Sequence, residues 1–340
     1  EGIPFISIDS LNDSDTIDFS NVRKFISYDD YLRYNIKSNI EKDDILFTKA
    51  ATIGKTAIVK DEIFMVWSPL AIIKANHSIV CNKYLYHILN TDNLIKDVIL
   101  HGSNNTQINV GMRELEAAII PFPPLAEQQR IAEFLDRKCA EVDEMIALQE
   151  QIIEELKAYK QSVITEAVTK GLNPAAPMRD SGIEWIGQIP EHWEVKRLKY
   201  LCSIQTGNKD TQDADKDGAY PFYVRSPFVE RSTSYSFEGE GILMAGDGAG
   251  AGRVFHHAFG KYAVHQRVYR LSDIKHINSN YLFYYISNLF NKVMDMGSAQ
   301  STVPSVRLPM LTNFRVCCPD IEEQQAIADY LDEKCADIDS

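Results

Sequence analysis

The chain has 340 residues, 45% of them hydrophobic and 24% charged, an ordinary globular composition that suffices for two domains with separate cores. Its formal net charge of −13 argues at first sight against a nucleic-acid partner. We find no apolar run near the ~20 residues of a membrane helix, no secretory leader and no zinc-like cysteine spacing, so we expect a reduced, cytoplasmic protein with no membrane contact.

Residues 1–122 predict a mixed α+β domain. β-like runs at 45–48, 56–59 and 71–74 precede a short helix at 83–90. The loop after the first run lies in a window without acidic residues, and a later polar loop carries amide and hydroxyl groups suited to phosphates and base edges. The candidate DNA-binding residues of this domain are Lys49, Thr52, Lys55, Ser103, Asn104, Asn105, Thr106 and Gln107.

Residues 123–170 predict one long spacer helix. Pro123 and Pro124 mark its start, and Gly171 marks its end. Apolar residues occupy 8 of the 11 a and d positions of a heptad register between Ile131 and Glu166. At ~1.5 Å per residue such a helix is roughly 69 Å long, too long for the core of one domain. We therefore expect a coiled coil with a partner helix.

Residues 171–319 predict a second α+β domain, with β-like runs at 242–245 and 267–271 and a helix at 279–286. The glycine-rich stretch 246–252 lacks the Lys-Ser/Thr of a P-loop and is followed by another β-like run. It therefore favours a tight turn that approaches a phosphate or a base edge over a nucleotide-cofactor site. The candidate DNA-binding residues here are Arg225, Arg253, His256, Ser298, Gln300 and Ser301.

The two halves of the chain are related. Residues 125–144 read LAEQQRIAEFLDRKCAEVDE and residues 321–340 read IEEQQAIADYLDEKCADIDS, with 11 identities in 20 at an offset of 196. The chain is thus predicted to be a tandem repeat in which residues 320–340 begin a second spacer helix. Because the copies are unequal at their ends, we expect a longer protein with more of the first domain and of the second helix.

The negative charge is concentrated in the two predicted helices. Residues 123–170 carry −4 and residues 320–340 carry −7, which leaves −2 for the rest of the chain. Since local basic surface decides DNA binding, the acidic total does not exclude it. Acidic, half-apolar helices repel phosphates and suit protein contacts. The candidate protein-contact residues on these helices are Gln128, Gln129, Leu135, Gln324, Gln325 and Leu331.

No catalytic or metal site is predicted. The sequence contains no Asn/Asp-Pro-Pro-Tyr/Phe signature for amino-methylation, no GxSxG elbow and no HExxH motif. The paired His256 and His257 have no suitably spaced third ligand. We therefore expect a non-catalytic protein with no metal or cofactor of its own.

Three features together resemble one family. They are the repeated helix starts, the stretch SGIEWIGQIPEHWEVKRLKYL at residues 181–201, and the loop DILFTKAATIGK at residues 44–55. Over essentially the whole chain they resemble the specificity (S) subunits of type I restriction–modification enzymes. The resemblance implies two target-recognition domains separated by long antiparallel coiled-coil helices in a pseudo-two-fold tandem repeat. Each domain would read one half of a bipartite, asymmetric site in double-stranded DNA.

The resemblance also implies protein partners. Two methyltransferase (M) subunits and the restriction (R) subunits would dock on the specificity subunit. S-adenosylmethionine, ATP and Mg chemistry would belong to those partners.

Three other interpretations stay open at this point. The chain would be the specificity region of another DNA methylation or restriction system if a methyltransferase domain flanked it. A non-catalytic coiled-coil scaffold for proteins would show no salt-dependent DNA binding. An enzyme that uses the glycine-rich loop would bind S-adenosylmethionine or a nucleotide.

Overall fold

A computed structural model describes residues 2–11, 15–67, 69–101, 109–297 and 304–340. The chain packs as two compact units, residues 1–148 and 149–340. The boundary between them falls inside a single helix that begins at Leu125 and ends at Lys170. The long helix predicted at residues 123–170 is therefore present, and each unit contains one end of it.

The first unit contains two small sheets and several helices. The central strand of one sheet is buried along its whole length, and its successive side chains alternate between two apolar clusters, as expected for a strand covered on both faces. The elements in chain order are β1 (Ile3–Ile6), β2 (Phe25–Ile26), α1 (Tyr28–Ser38), β3 (Ile45–Thr48), β4 (Thr56–Ile58), β5 (Met65–Val66), β6 (Leu70–Ile73), α2 (Asn82–Leu89), α3 (Asp92–His101), α4 (Met112–Glu116) and α5 (Leu125–Lys170).

The second unit is built around a larger core, in which Tyr281, Tyr285 and Phe290 of one helix pack against Val168 and Leu331. Its remaining elements are β7 (Met178–Asp180), β8 (Gln188–Pro190), β9 (Glu194–Arg197), β10 (Ser203–Thr206), β11 (Tyr220–Tyr223), β12 (Glu230–Ser232), β13 (Phe237–Glu238), β14 (Gly241–Ala245), β15 (Phe255–Ala258), β16 (Lys261–Val264), β17 (Val268–Ser272), α6 (Ser279–Gly297), α7 (Leu308–Thr312), β18 (Arg315–Cys318) and α8 (Ile321–Asp339).

The two units share a topology. In the first, β1 pairs antiparallel with β2 and parallel with β5, while β3 lies between β4 and β6. In the second, β11 pairs antiparallel with β12 and parallel with β16, while β14 lies between β15 and β17. The predicted α+β tandem repeat is confirmed. The second unit adds β10, β13 and the pairs β7–β8 and β9–β18 to this frame.

Helix α8 lies antiparallel to the end of α5 within the second unit. The Lys160 ammonium contacts the Asp339 carboxylate at 2.6 Å, whereas Glu323 near the start of α8 lies beside Gly171 after the end of α5. The Asp320 side chain caps α8 by accepting from Glu323 N at 2.8 Å. Among the described residues nothing covers the middle of α5 in this way, since its seam residues Val142 and Leu156, with those between them in the register, are exposed. No helix among the described residues is long and apolar enough to cross a membrane.

Candidate nucleic-acid interface

In the first unit, the turn after β3 is tied to the end of the polar loop. Lys49 N donates to Pro69 O and Val110 N donates to Lys49 O, both at 2.8 Å. Gly54 N closes the turn by donating to Thr48 O at 3.1 Å. The basic turn predicted at residues 49–55 and the flank of the polar loop therefore meet at one place.

The second unit repeats these bonds. Gly246 N donates to Arg267 O, and Val306 N donates to Gly246 O, both at 2.8 Å. Gly252 N donates to Ala245 O at 2.9 Å. The predicted tight turn at residues 246–252 is confirmed, and β15 follows it where a nucleotide loop would begin a helix.

A glycine at the same place in each turn permits this geometry. Gly54 has φ +96° and Gly252 has φ +65°, the left-handed region that side chains rarely adopt. A Cβ would lie 2.6 Å from Ile95 at Gly54, and 2.7 Å from Met294 at Gly252. Each turn thus packs tightly against the helix that leads into the polar loop.

The predicted residues of the first turn that the structure describes lie together. Lys49 and Lys55 are half-buried and Thr52 is exposed. Lys55 and Thr52 line a small cavity with Asp9 and Asn21.

A second cavity of about 350 Å³ shares the Asp9 and Asn21 side of that first cavity and is lined by Arg23, Lys24 and Trp67. The Lys24 ammonium lies 4.2 Å from the centre of the Trp67 ring. The sequence did not predict these three residues as part of a site, because β1, β2 and β5 are too short to show an alternation of apolar and polar residues.

In the second unit, one carboxylate forms salt bridges with two arginines. Asp247 accepts from Arg225 at 2.9 Å and from Arg267 at 2.6 Å. Burial by itself raises the pKa of Asp247, but the hydrogen bonds from both guanidinium groups outweigh it, so this pKa is lowered and the carboxylate stays ionised. Arg225 was predicted, whereas Arg267 and Asp247 were not among the predicted site residues.

The other predicted residues of this unit are placed differently. Arg253 pairs with Asp295 of α6 at 3.4 Å and is largely exposed. His256 lies in β15, where its Nε2 bonds Ser226 O at 3.0 Å and its ring contacts Tyr223. Arg253 is presented to solvent, but His256 is engaged within its own unit.

The remaining DNA-binding predictions lie outside the described residues. These are Ser103, Asn104, Asn105, Thr106 and Gln107 in the first polar loop, and Ser298, Gln300 and Ser301 in the second.

Half of the residues predicted to contact partner subunits are occupied inside their own units, which corrects the prediction for them. Gln128 is buried, its Oε1 accepts from Cys81 N at 2.9 Å and its Nε2 donates to Ile79 O and Pro123 O. Leu331 is fully buried in the core of the second unit.

Gln324 is likewise buried. Its Oε1 accepts from Asn278 N at 2.6 Å and its Nε2 donates to Pro319 O at 2.8 Å. Gln128, Gln324 and Leu331 therefore fix each helix to its unit. Gln129 and Gln325 are exposed and Leu135 is half-buried, so these three keep surface that a partner can contact.

No group of three His, Cys, Asp or Glu side chains in the described ranges is placed to hold a metal ion.

Comparison with known proteins places the chain among DNA specificity proteins. The family model "Type I restriction modification DNA specificity domain" matches residues 1–158 and 190–339. The EcoDI specificity subunit of Escherichia coli is 30% identical over 154 residues, which cover 45% of this chain and 34% of that protein. The putative MjaX specificity subunit of Methanocaldococcus jannaschii is 26% identical over 355 residues, covering 97% of this chain and 80% of that one.

Solved structures show the same fold. A chain from work on complex assembly and conformational transition of the type I R-M system superposes with a TM-score of 0.73 at 16% identity, covering 99% of this chain and 85% of that one. The HsdS subunit from Thermoanaerobacter tengcongensis superposes with a TM-score of 0.55 at 17% identity, covering 99% and 84%.

Two α+β units that repeat one backbone frame with different side chains define a tandem recognition protein. The chain belongs to the type I restriction–modification DNA specificity family.

Proposed function

We propose that this chain is the DNA sequence-specificity subunit of a type I restriction–modification complex, and that each unit reads one half of a bipartite, asymmetric site. The observation that carries the proposal is the repeated frame. In both units a turn after a buried strand is bonded to a residue that follows a polar loop, Val110 in the first and Val306 in the second. The first unit carries Lys49 and Lys55 near this turn, and the second carries Arg225, Arg253 and Arg267. Equivalent backbones with different basic groups suit two different half-sites.

The acidic helices support a separate role in assembly. Residues 123–170 carry −4, and the seam of α5 between Val142 and Tyr159 is exposed and apolar except at Gln149. Such a surface repels phosphates and favours protein contacts. In this proposal α5 and α8 space the two units and, with Gln129 and Gln325, contact two M subunits, and the R subunits join the assembly in the cytoplasm.

The chain itself is proposed to be non-catalytic. S-adenosylmethionine, ATP and Mg would be bound by the partner subunits. The test is to assemble the chain with its M subunits, add S-adenosylmethionine and map the methylated bases in random-sequence DNA. We expect one split motif from the complex and no methylation from the chain alone. Methyl transfer by the isolated chain, or methylation without a motif, would overturn the proposal.

A further inference from the structure

The strand that runs parallel to β1 is followed by a tight turn, which we call the parallel-strand turn; its described residues in the first unit are Trp67, Pro69 and Leu70. Trp67 N donates to Ile6 O at 2.8 Å, and Leu70 N donates to Trp67 O at 3.0 Å. The carbonyl of Pro69 in this turn accepts from Lys49 N. The parallel-strand turn therefore lies directly against the basic turn of the candidate interface.

The second unit contains the same turn at residues 265–268. His265 N donates to Tyr223 O at 3.0 Å, and Val268 N donates to His265 O at 2.9 Å. The carbonyl of Arg267 accepts from Gly246 N. The hydrogen-bond register thus equates Trp67 with His265 and Pro69 with Arg267.

The side chain of Arg267 is held in a defined orientation. Asp247 is only 18% exposed, whereas Arg267 is 62% exposed, so the carboxylate fixes one edge of a guanidinium group that otherwise faces solvent. Arg225 shares the same carboxylate. Two guanidinium groups on one carboxylate leave net positive charge, and they carry more N–H donors than the two bonds to Asp247 use.

An oriented guanidinium is more than a phosphate contact requires. A flexible lysine neutralises a phosphate equally well, while bidentate recognition of a guanine edge needs the planar fork in one orientation. The geometry therefore favours base reading by Arg267.

In the first unit the turn presents an aromatic face in place of a guanidinium. Trp67 is 43% exposed and is supported by Phe5, with ring centres 5.5 Å apart, and by the Lys24 ammonium. Arg23 and the acidic Asp9 also line this cavity. Exposed aromatic surface flanked by cations is suited to sugar and base edges next to phosphates.

We propose that the parallel-strand turn is a second DNA-reading element in each unit, in addition to the polar loop. Arg267 reads a guanine edge in the half-site of the second unit. Trp67 packs on a base or sugar edge in the half-site of the first unit, and Lys24 neutralises a neighbouring phosphate. This inference rests on the proposed function and names residues that carry its specificity.

The test for the second unit uses the complex with M subunits, with methylation mapping and DNA-binding affinity as readouts. Arg267→Ala should relax one position of one half-site and weaken discrimination there by about 5- to 140-fold. Arg267→Lys should keep most of the affinity but also relax that position, because it keeps the charge and loses the fork. Arg197→Ala, which removes an exposed arginine of β9 in the same unit, is the matched control and should change neither readout.

The outcome of the lysine variant decides between base and phosphate contact. If Arg267→Lys retains the wild-type motif while Arg267→Ala weakens binding to all sequences alike, the base-reading proposal is overturned.

The test for the first unit compares Trp67→Ala with Phe122→Ala, which removes another exposed aromatic of that unit. Trp67→Ala should weaken recognition of the other half-site only, and Lys24→Ala should lower the salt dependence of binding by about one counterion without altering the motif. The Lys24 variant tests the turn even if loss of Trp67 impairs folding.

Unchanged affinity and an unchanged motif in both variants would overturn this inference and leave the proposed function intact. A wild-type complex without any motif would overturn the proposed function itself.

Discussion

Gln128 and Gln324 make the same hydrogen bonds at the starts of α5 and α8. Each buried amide accepts from the backbone N–H that precedes a helix of its unit, at Cys81 and at Asn278, and donates to the carbonyl of a proline just before its own helix. A second pairing follows two turns later, where Asp136 contacts His87 and Asp332 accepts from Tyr284. The repeated sequence of the helices is thus explained by how each helix is fixed to its unit.

The buried glutamine should be essential for stability. Gln324→Ala leaves Asn278 N and Pro319 O buried without their partner, so we expect a loss of about 2–4 kcal/mol in the free energy of unfolding. Urea unfolding followed by tryptophan fluorescence measures this loss, since Trp193 is buried in the same core. Gln325→Ala, which removes the exposed neighbour, is the control and should cost less than ~1 kcal/mol. Equal losses in the two variants would contradict the assignment.

The glycine that closes the second turn is expected to tolerate no side chain. Gly252→Ala adds a Cβ at φ +65° against Met294, so it should cost the strain of that backbone plus about 1–3 kcal/mol of overpacking. Gly260 has φ +72° with nothing within 4 Å of an added Cβ, so Gly260→Ala measures the cost of the backbone strain without overpacking. Thermal unfolding of the two variants should therefore differ. A Gly252 variant as stable as the Gly260 variant would show that the helix yields to the new methyl group.

Acidification should weaken the second unit through His265. Burial lowers the pKa of His265 from its ordinary value near 6.5, and the charge of Arg225 lowers it further, while Asp210 opposes both. The unfolded chain therefore binds this proton more readily than the folded chain does. The contribution of neutral His265 to the free energy of unfolding is therefore fully present above about pH 6.5. It is lost as the pH falls from there through the lower pKa of the folded protein.

The measurement is the melting temperature between pH 7.5 and 5.5. His265→Gln should reduce the decline on acidification, and His77→Gln, at an exposed histidine of the first unit, should not. A decline that is identical in all three proteins would show that other groups cause it.

The length of α5 is expected to set the spacer of the DNA site. Four residues inserted after Glu150 lengthen the helix by roughly 6 Å and nearly preserve its facing. Since base pairs are stacked ~3.4 Å apart, the methylated motif should gain one or two spacer base pairs and keep its half-site bases. A two-residue insertion turns the helix by roughly 200° and should abolish activity. An unchanged spacer in the four-residue variant would contradict a measuring role.

Local signals in the sequence were sufficient for some elements and not for others. The bounds of α5 follow from Pro124 before it and Gly171 after it, and the buried strands β3 and β14 follow from their apolar runs. Helix α6 extends to Gly297, well beyond the predicted 279–286, because its later residues are held by core packing.

The candidate interface depends on contacts between distant parts of the chain. Asp247 meets Arg225 across 22 residues, and Trp67 corresponds to His265 only through strand register. The burial of Gln128 could not be read from its polarity, because a loop some 47 residues earlier supplies its partner. Polar residues at the start of an amphipathic helix are otherwise expected on the surface.

The central claim is that each unit reads one half-site, and it is tested most directly by methylation mapping with two double variants in the complex with M subunits. Lys49→Ala with Lys55→Ala should relax or weaken one half-site, and Arg225→Ala with Arg253→Ala should do so only at the other, by about 1–3 kcal/mol per lost base contact. The wild-type complex should give one split, asymmetric motif. Equal effects of either pair on both half-sites, or a continuous motif, would contradict the account.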